Sequence, residues 1–410
     1  MDLIHDTMHT TNLNYKPDFW DYILIIGIIS APMTSLRYGK IGVAEVCLFI
    51  WSLNNIIKKK FRINSDQYVI FWLLFDFCLI IGFFIKILNS IISGPYIEES
   101  ITYIYFTLFV ISLSQYFQNA NIEKLLELMR RVFFWAFYVY TSIYIYSLLF
   151  GRTTIFGYNL WYSSERLSIL ADNPHQFVYL IGPLIFVGFF FIRSNYLQNK
   201  IERVLCYLAI ISFIIMCLQS KSSTFLAVSV VIACYLLLFN TKSSLDVRKK
   251  KLLIGIKVLF SFSIIIPSYS IVRDLFIQFV ENDPNGLGRF RLWQLGIEKI
   301  EMSPIFGLGP GSHLLLPEIP VYMEAHNIYI DIALRSGIVG LILFLLILIR
   351  TFKVTKVNIY ATCTVLFFCL YGIAGFSLRR ITLWFFIMGM YYICLKMIDT
   401  HHKKKNHLMK

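Results

Sequence analysis

Charge is the scarcest commodity in this chain. Asp, Glu, Lys and Arg make up 15% of its 410 residues, against 57% apolar and 17% aromatic. A water-soluble domain carries about 25% charged residues, so large soluble domains are excluded and an integral membrane protein is expected. Acidic residues are the scarcer sign, 24 against 38 Lys and Arg, for a net charge of +14. No DNA-reading module or RNA-binding signature interrupts the apolar runs, which excludes nucleic acid as a partner. Paired cysteines are also missing. All eight lie in apolar segments without C-x-x-C spacing and read as packing residues, neither disulfides nor zinc ligands. The histidines show no H-E-x-x-H spacing, and Ser220-Lys221-Ser222 is too short to argue a serine nucleophile. The N-terminus lacks a basic region followed by a small-residue cleavage site, so the first span is expected to stay as an anchor.

What remains is a series of apolar runs of helical length, at about 20–35, 41–57, 68–92, 100–117, 132–150, 176–192, 204–218, 224–240, 252–272, 328–349, 359–377 and 381–397. They lack the period-two alternation of an outer-membrane barrel. The expectation is an all-α polytopic membrane bundle of about twelve transmembrane helices, one domain over 1–410. Cytoplasmic segments collect Lys and Arg. With both termini inside, the inner segments hold 23 of the 38 basic residues and the outer ones 11. This topology puts one long Gly- and Pro-rich connection, 273–327, on the outer face beside the loop 151–175. Long loops of that kind are often functional.

Basic residues on the side that disfavours them need a reason. Arg166, Lys221, Arg289, Arg291, Arg379 and Arg380 lie near span ends in four different loops. A bundle could gather them around one phosphate-bearing head group, which guanidinium groups grip by paired hydrogen bonds. Snorkelling to lipid head groups is the other account. Residues 290–301 have a helical period, with Leu292, Ile297 and Ile300 apolar, and Pro304 ends the run. Gly307, Gly309 and Gly311 then permit either close backbone approach or an anion-binding nest. Farther on, Asn327 is placed to cap a helix whose Asp331 and Arg335 share a face, with Gly337 and Gly340 open to close contact. His326 would stand at the mouth of the bundle, either taking a proton from a sugar hydroxyl or hydrogen-bonding a ligand. Asp172, Asn173 and His175 offer polar contacts to sugar, although Asp172-Asn173-Pro174 reads equally well as a cap and turn.

The pattern His326-Asn327, nine residues, Gly337, two residues, Gly340 resembles the O-antigen ligase and polysaccharide polymerase superfamily of bacterial envelopes. Gly288-Arg289 with Trp293, then Pro304 and the three glycines, extend the resemblance upstream. Weaker echoes lie in Arg166 with Asp172-Asn173-Pro174 and in Ser220-Lys221. Three positions depart from the family pattern: His175 stands where Asn is frequent, Lys221 where Arg is usual, and Arg335 where an acid is common. The resemblance implies a GT-C-like helical glycosyltransferase of the inner membrane, its active site periplasmic, using no nucleotide sugar, cofactor or metal. Its donor would be a glycan on undecaprenyl pyrophosphate. The acceptor would be another lipid-linked repeat, for a polymerase, or the lipid A core, for a ligase. A chain-length regulator and a flippase would be further membrane partners. On this reading Arg166, Arg289 and one of Arg379 or Arg380 hold the pyrophosphate with Lys221 in support, and His326 faces the acceptor. A flippase for lipid-linked oligosaccharide is the rival, but it should carry charge deep in several spans. Here only Lys86, Lys257, Arg335 and Lys396 fall within them.

Overall fold

A computed structural model describes residues 15–39, 41–58, 66–89, 95–151, 153–162, 165–197, 199–239, 286–316, 319–375 and 378–408. The expected span at 252–272 and the start of the long connection, 273–285, lie outside them. Each of the other expected runs holds a helix: α1 Phe19–Ser30, α2 Val43–Lys58, α3 Gln67–Leu88, α4 Tyr96–Asn119, α5 Ile122–Leu149, α6 Pro174–Arg193, α7 Lys200–Gln219, α8 Ser223–Phe239, α10 Ile328–Thr355, α11 Ile359–Tyr371 and α12 Ile381–Leu408, with α9 Gly286–Ile300 inside the long connection. Among the described residues, seven of these helices (α3 to α7, α10 and α12) are long and apolar enough to cross a membrane. The chain is a polytopic helical membrane protein. Apolar side chains left exposed on α3 and α7, such as Ile80, Phe84, Leu208 and Ile211, fit a lipid-facing surface.

Three small antiparallel hairpins modify the all-α expectation. They pair β1 Thr154–Ile155 with β2 Tyr158–Asn159, β3 Trp161–Tyr162 with β4 Arg166–Leu167, and β5 Leu314–Leu316 with β6 Ile319–Met323. Strands of two to five residues are too short for alternation to show in the sequence.

The bundle is organised around α12, whose residues 381–394 are buried on every side, as expected for a helix apolar all round. It packs on α4, α5, α6, α10 and α11. Beside it, α10 is broken at Gly337, which has φ 65° and ψ −167°. The break frees backbone groups that cost several kcal/mol each if left unpaired in hydrocarbon. The segment after α9 satisfies them: Leu308 and Gly309 donate to the carbonyls of Leu334 and Arg335, both at 2.9 Å, while Pro304 and Ile305 accept from Ile338 and Val339 at 2.8 and 3.3 Å. The glycines make that docking possible. A Cβ on Gly307 would lie 2.4 Å from the Arg335 backbone, and one on Gly309 would lie 2.5 Å from Phe83 N. Gly307 and Gly309 therefore serve close backbone approach to α10 and α3, while the Gly311 amide donates to Glu99.

Gly337→Ala is predicted to destabilise the protein by at least ~1–3 kcal/mol from backbone strain alone, because its Cβ would also stand 2.1 Å from Ile305 O. At Gly340 the new Cβ would stand 1.9 Å from Ser336 Oγ and 2.5 Å from Ser336 Cβ, a side-chain clash without the positive φ of Gly337. Thermal unfolding in detergent should show a drop for both variants, larger for Gly337→Ala, where backbone strain adds to the clash.

Helix α9 starts four residues earlier than its periodicity indicates. It buries Leu292 in a satellite core with Leu308, Leu314, Ala325 and Leu334. Ile297, expected on the apolar face, is exposed; Leu295 packs in its place. Gly296 lets α9 approach α10 closely, since a Cβ there would lie 2.7 Å from Ile330.

Candidate functional site

The inter-helix segments expected outside meet at one end of the bundle. Thr34 donates to Gln176 at 2.5 Å and Ser35 to Asp172 at 3.0 Å, while the Ser35 amide donates to Leu170 O at 2.9 Å. The Arg166 guanidinium donates to Ser220 O at 3.3 Å and lies over the Tyr162 ring. These bonds tie the first connection and the β-hairpin segment to the starts of α6 and α8.

Within this rim, His175 on the first turn of α6 is the meeting point. Its Nδ1 lies 2.8 Å from the Tyr371 hydroxyl and 3.2 Å from Ser222 Oγ, and the two hydroxyls are 3.1 Å apart. The charges that act on its ring are Arg289, Arg166 and His326. Three residues from α9, β4 and the segment before α10 thus share one neighbourhood. Arg166 lies more than a hundred residues from either of the other two in the sequence.

A second group sits behind the first. Arg335, fully buried, donates to Asp331 Oδ1 at 2.7 Å and to the two Glu99 oxygens at 3.2 and 3.4 Å. Glu99 also accepts from Gly311 N at 2.6 Å, from Arg379 at 3.0 Å and pairs with His313 at 2.8 Å. Arg379 bridges onward to Glu324. Ligand-type atoms of Glu99, His313 and Glu324 fall within 4.8 Å of one another, but the guanidinium groups of Arg335 and Arg379 already occupy the cation positions against Glu99. The cluster is an ion-pair web.

That web aims His326. Asp331 accepts the amides of Ala325 at 3.1 Å and Asn327 at 3.4 Å, one on each side of the histidine. Asn327 caps α10, its Oδ1 taking the Tyr329 and Ile330 amides at 3.0 and 3.2 Å. His326 itself is held at φ 52°, an uncommon conformation for a residue with a Cβ. Burial, with Arg289 and Arg380 adding to it, outweighs Glu324 and Asp331 and keeps the imidazole below its ordinary pKa. It is therefore neutral at pH 7 and able to accept a proton. Burial pushes Glu324 upward, but Arg379 and Arg335 prevail and hold it below the usual carboxylate range.

The other expected site residues are placed as follows. Arg380 forms no ion pair among the described residues; burial, together with Arg37 and Arg379, lowers its pKa against the pull of Glu324. Arg379 is engaged by Glu99 and Glu324. Lys221, between Ser220 and Ser222, pairs with Glu165 at 2.6 Å, both side chains exposed. Arg291 is on the exposed side of α9, one residue from the buried Leu292. Asp172 holds Ser35, and Asn173 caps α6 through the His175 amide at 2.9 Å. Ser222, Tyr371, Glu99, His313 and Glu324 were not singled out from the sequence. Glu99 stands just before the apolar run at 100–117 in the sequence, and only the structure places it on the first turn of α4.

Residues 206–345 match the family model described as O-antigen ligase. That segment is similar to the O-antigen ligase family, and the similarity supports a part in envelope polysaccharide biosynthesis of the O-antigen ligase and polymerase type. No curated protein matches the chain. The O-antigen ligase segment contains α8, α9, the glycine loop, His326 and the break in α10, whereas Arg166, His175, Tyr371, Arg379 and Arg380 come from outside it. The rim is completed by the flanking helices.

Proposed function

We propose that the protein transfers a glycan from undecaprenyl pyrophosphate to the hydroxyl of an acceptor sugar at the periplasmic face of the inner membrane, as a polysaccharide repeat-unit polymerase. The observation that carries this reading is the convergence of Arg166, Arg289 and His326 on one end of the bundle around His175. Breaking the bond between sugar and pyrophosphate builds negative charge on the leaving group. Fixed guanidinium groups are suited to stabilise it, and Arg166, Arg289 and Arg380 supply them. His326, neutral and presented by its web, takes the proton of the attacking hydroxyl. Asn173 and Asp172 border the same rim as acceptor contacts. Arg379, committed to carboxylates, acts as framework, and Lys221 and Arg291 lie at the margin.

The opposite end of the bundle carries Lys58, Lys124, Arg130, Arg131, Lys200 and Arg203, which supports cytoplasmic termini and a periplasmic rim. The ligase alternative, with lipid A core as acceptor, is favoured by the description of the matched family. Reconstitution with purified lipid-linked repeat units alone separates the two: chain growth is the expected result, and a strict need for lipid A core would make the enzyme a ligase.

A base role for His326 fixes the sign of the pH dependence. Activity should be lost as pH falls through its folded pKa, so the acidic limb of kcat/KM should inflect below the ordinary histidine value of about 6.5. His326→Gln should lose about 10²- to 10⁴-fold in kcat and lose that limb. Wild-type turnover by the variant across the pH series would exclude the base.

A further inference from the structure

Proton counting around His175 reaches beyond its place in the rim. Three atoms, His175 Nδ1, Tyr371 Oη and Ser222 Oγ, form a triangle with edges of 2.8, 3.2 and 3.1 Å. Ser222 Oγ also accepts the Phe225 amide at 3.2 Å, capping α8. Each edge can hold one hydrogen. If Nδ1 is bare, Ser222 donates to Tyr371, Tyr371 donates to Nδ1, and both hydroxyl protons are placed. If Nδ1 carries a hydrogen, whether in the other neutral tautomer or in the imidazolium, it donates to Tyr371 and Tyr371 donates to Ser222. The serine proton then faces an Nδ1 with no lone pair, and no other acceptor for it stands among the described residues. A stranded buried proton of this kind costs about the desolvation of a hydroxyl. The backbone amide of Phe225, which can only donate, fixes the head of the relay.

We infer that Tyr371 and Ser222 are positioning residues that lock His175 in the Nε2–H tautomer, making it a neutral hydrogen-bond donor to an oxygen of the diphosphate that Arg166 and Arg289 attract. The inference rests on the transferase reading for the identity of that diphosphate. It also divides labour between the histidines. With Nε2 protonated and Nδ1 occupied, His175 has no lone pair to offer an acceptor hydroxyl, so proton abstraction falls to His326. An uncharged donor has a further merit there. It adds a hydrogen bond without adding a third cation to a neighbourhood that already holds Arg166 and Arg289.

The test uses the full-length protein in nanodiscs with ring-¹⁵N histidine, the His175 signals being assigned by their loss in His175→Gln. At neutral pH the wild type should show a protonated Nε2 and a bare Nδ1. Tyr371→Phe should keep that tautomer, because Ser222 then donates to Nδ1 directly. Only Tyr371→Phe combined with Ser222→Ala, which removes both hydroxyls, should shift His175 towards a mixture of tautomers. A protonated Nδ1 in the wild type would overturn the lock. Binding of undecaprenyl pyrophosphate then reads the donor role. His175→Ala should bind about tenfold to a hundredfold more weakly, the effect of losing one hydrogen bond to a charged group. His175→Gln, whose amide N–H reaches the place of Nε2, should recover most of that loss. Equal binding by wild type and His175→Ala, or a glutamine variant no better than alanine, would overturn the donor. Glycan transfer is a separate readout: a protein that shows the tautomer and the binding pattern but never transfers glycan retires the transferase reading and leaves the donor standing.

Discussion

Arg335→Met should cost the fold about 3–5 kcal/mol, the usual penalty for removing one partner of a buried ion pair. The side chain is fully buried and faces two carboxylates, Asp331 at 2.7 Å and Glu99 at 3.2 Å. Methionine fills most of the volume, so the loss comes from charge left without a partner. The two acids are not equally exposed to it. Glu99 keeps Arg379, His313 and the Gly311 amide, whereas among the described residues Asp331 keeps the amides of Ala325 and Asn327. Adding Asp331→Asn should therefore restore part of the stability in the Arg335→Met background, although Asp331→Asn alone should destabilise. Thermal unfolding in detergent across the four proteins reads this cycle. A melting temperature for Arg335→Met equal to that of the wild type would remove the web from any account of how His326 is held. The same web predicts loss of stability in acid, because Glu324 contributes above its unfolded pKa and ceases to contribute as pH falls through its lowered folded value.

Much of the bundle was legible because hydrophobic length is a one-dimensional signal. Spans such as α6 and α10 begin where a capping asparagine precedes an apolar run, at Asn173 and Asn327, and both features are local. The break in α10 was not legible. Gly337 reads as a small residue suited to helix contact, and only the docking of Leu308 and Gly309 on the freed carbonyls shows that it interrupts the helix. The role of each cation was hidden for the same reason. Arg379 and Arg380 are adjacent and chemically identical, yet one is held by Glu99 and Glu324 while the other forms no ion pair among the described residues. Their carboxylates sit on α4 and before α10, at separations that no spacing rule reaches. Ser222 and Tyr371 carried no sequence signal at all. A serine before a helix and a tyrosine in an apolar run are commonplace, and their meaning lies in the distances to His175.

Arg289→Ala should lower glycan transfer by about 10²- to 10³-fold, the range for removing one fixed donor from a developing anion, with little change in melting temperature. The two halves of that expectation come from different observations. The chemical half follows from position: the Arg289 charge acts on both His175 and His326, the two histidines proposed to face donor and acceptor. The stability half follows from packing. Helix α9 is anchored by Leu292 and by the close approach at Gly296, neither of which the substitution touches. Arg379→Ala gives the opposite pattern, because it strips a partner from both Glu99 and Glu324: the melting temperature should fall, and any loss of transfer should accompany the loss of folded protein. Arg380→Ala should behave like Arg289→Ala. Measuring transfer and unfolding on the same four preparations therefore sorts guanidinium groups that bind substrate from those that hold the frame. Full transfer by a well-folded Arg289→Ala protein would leave the leaving-group charge without its main stabiliser and end the assignment of this rim as the place where the bond is broken.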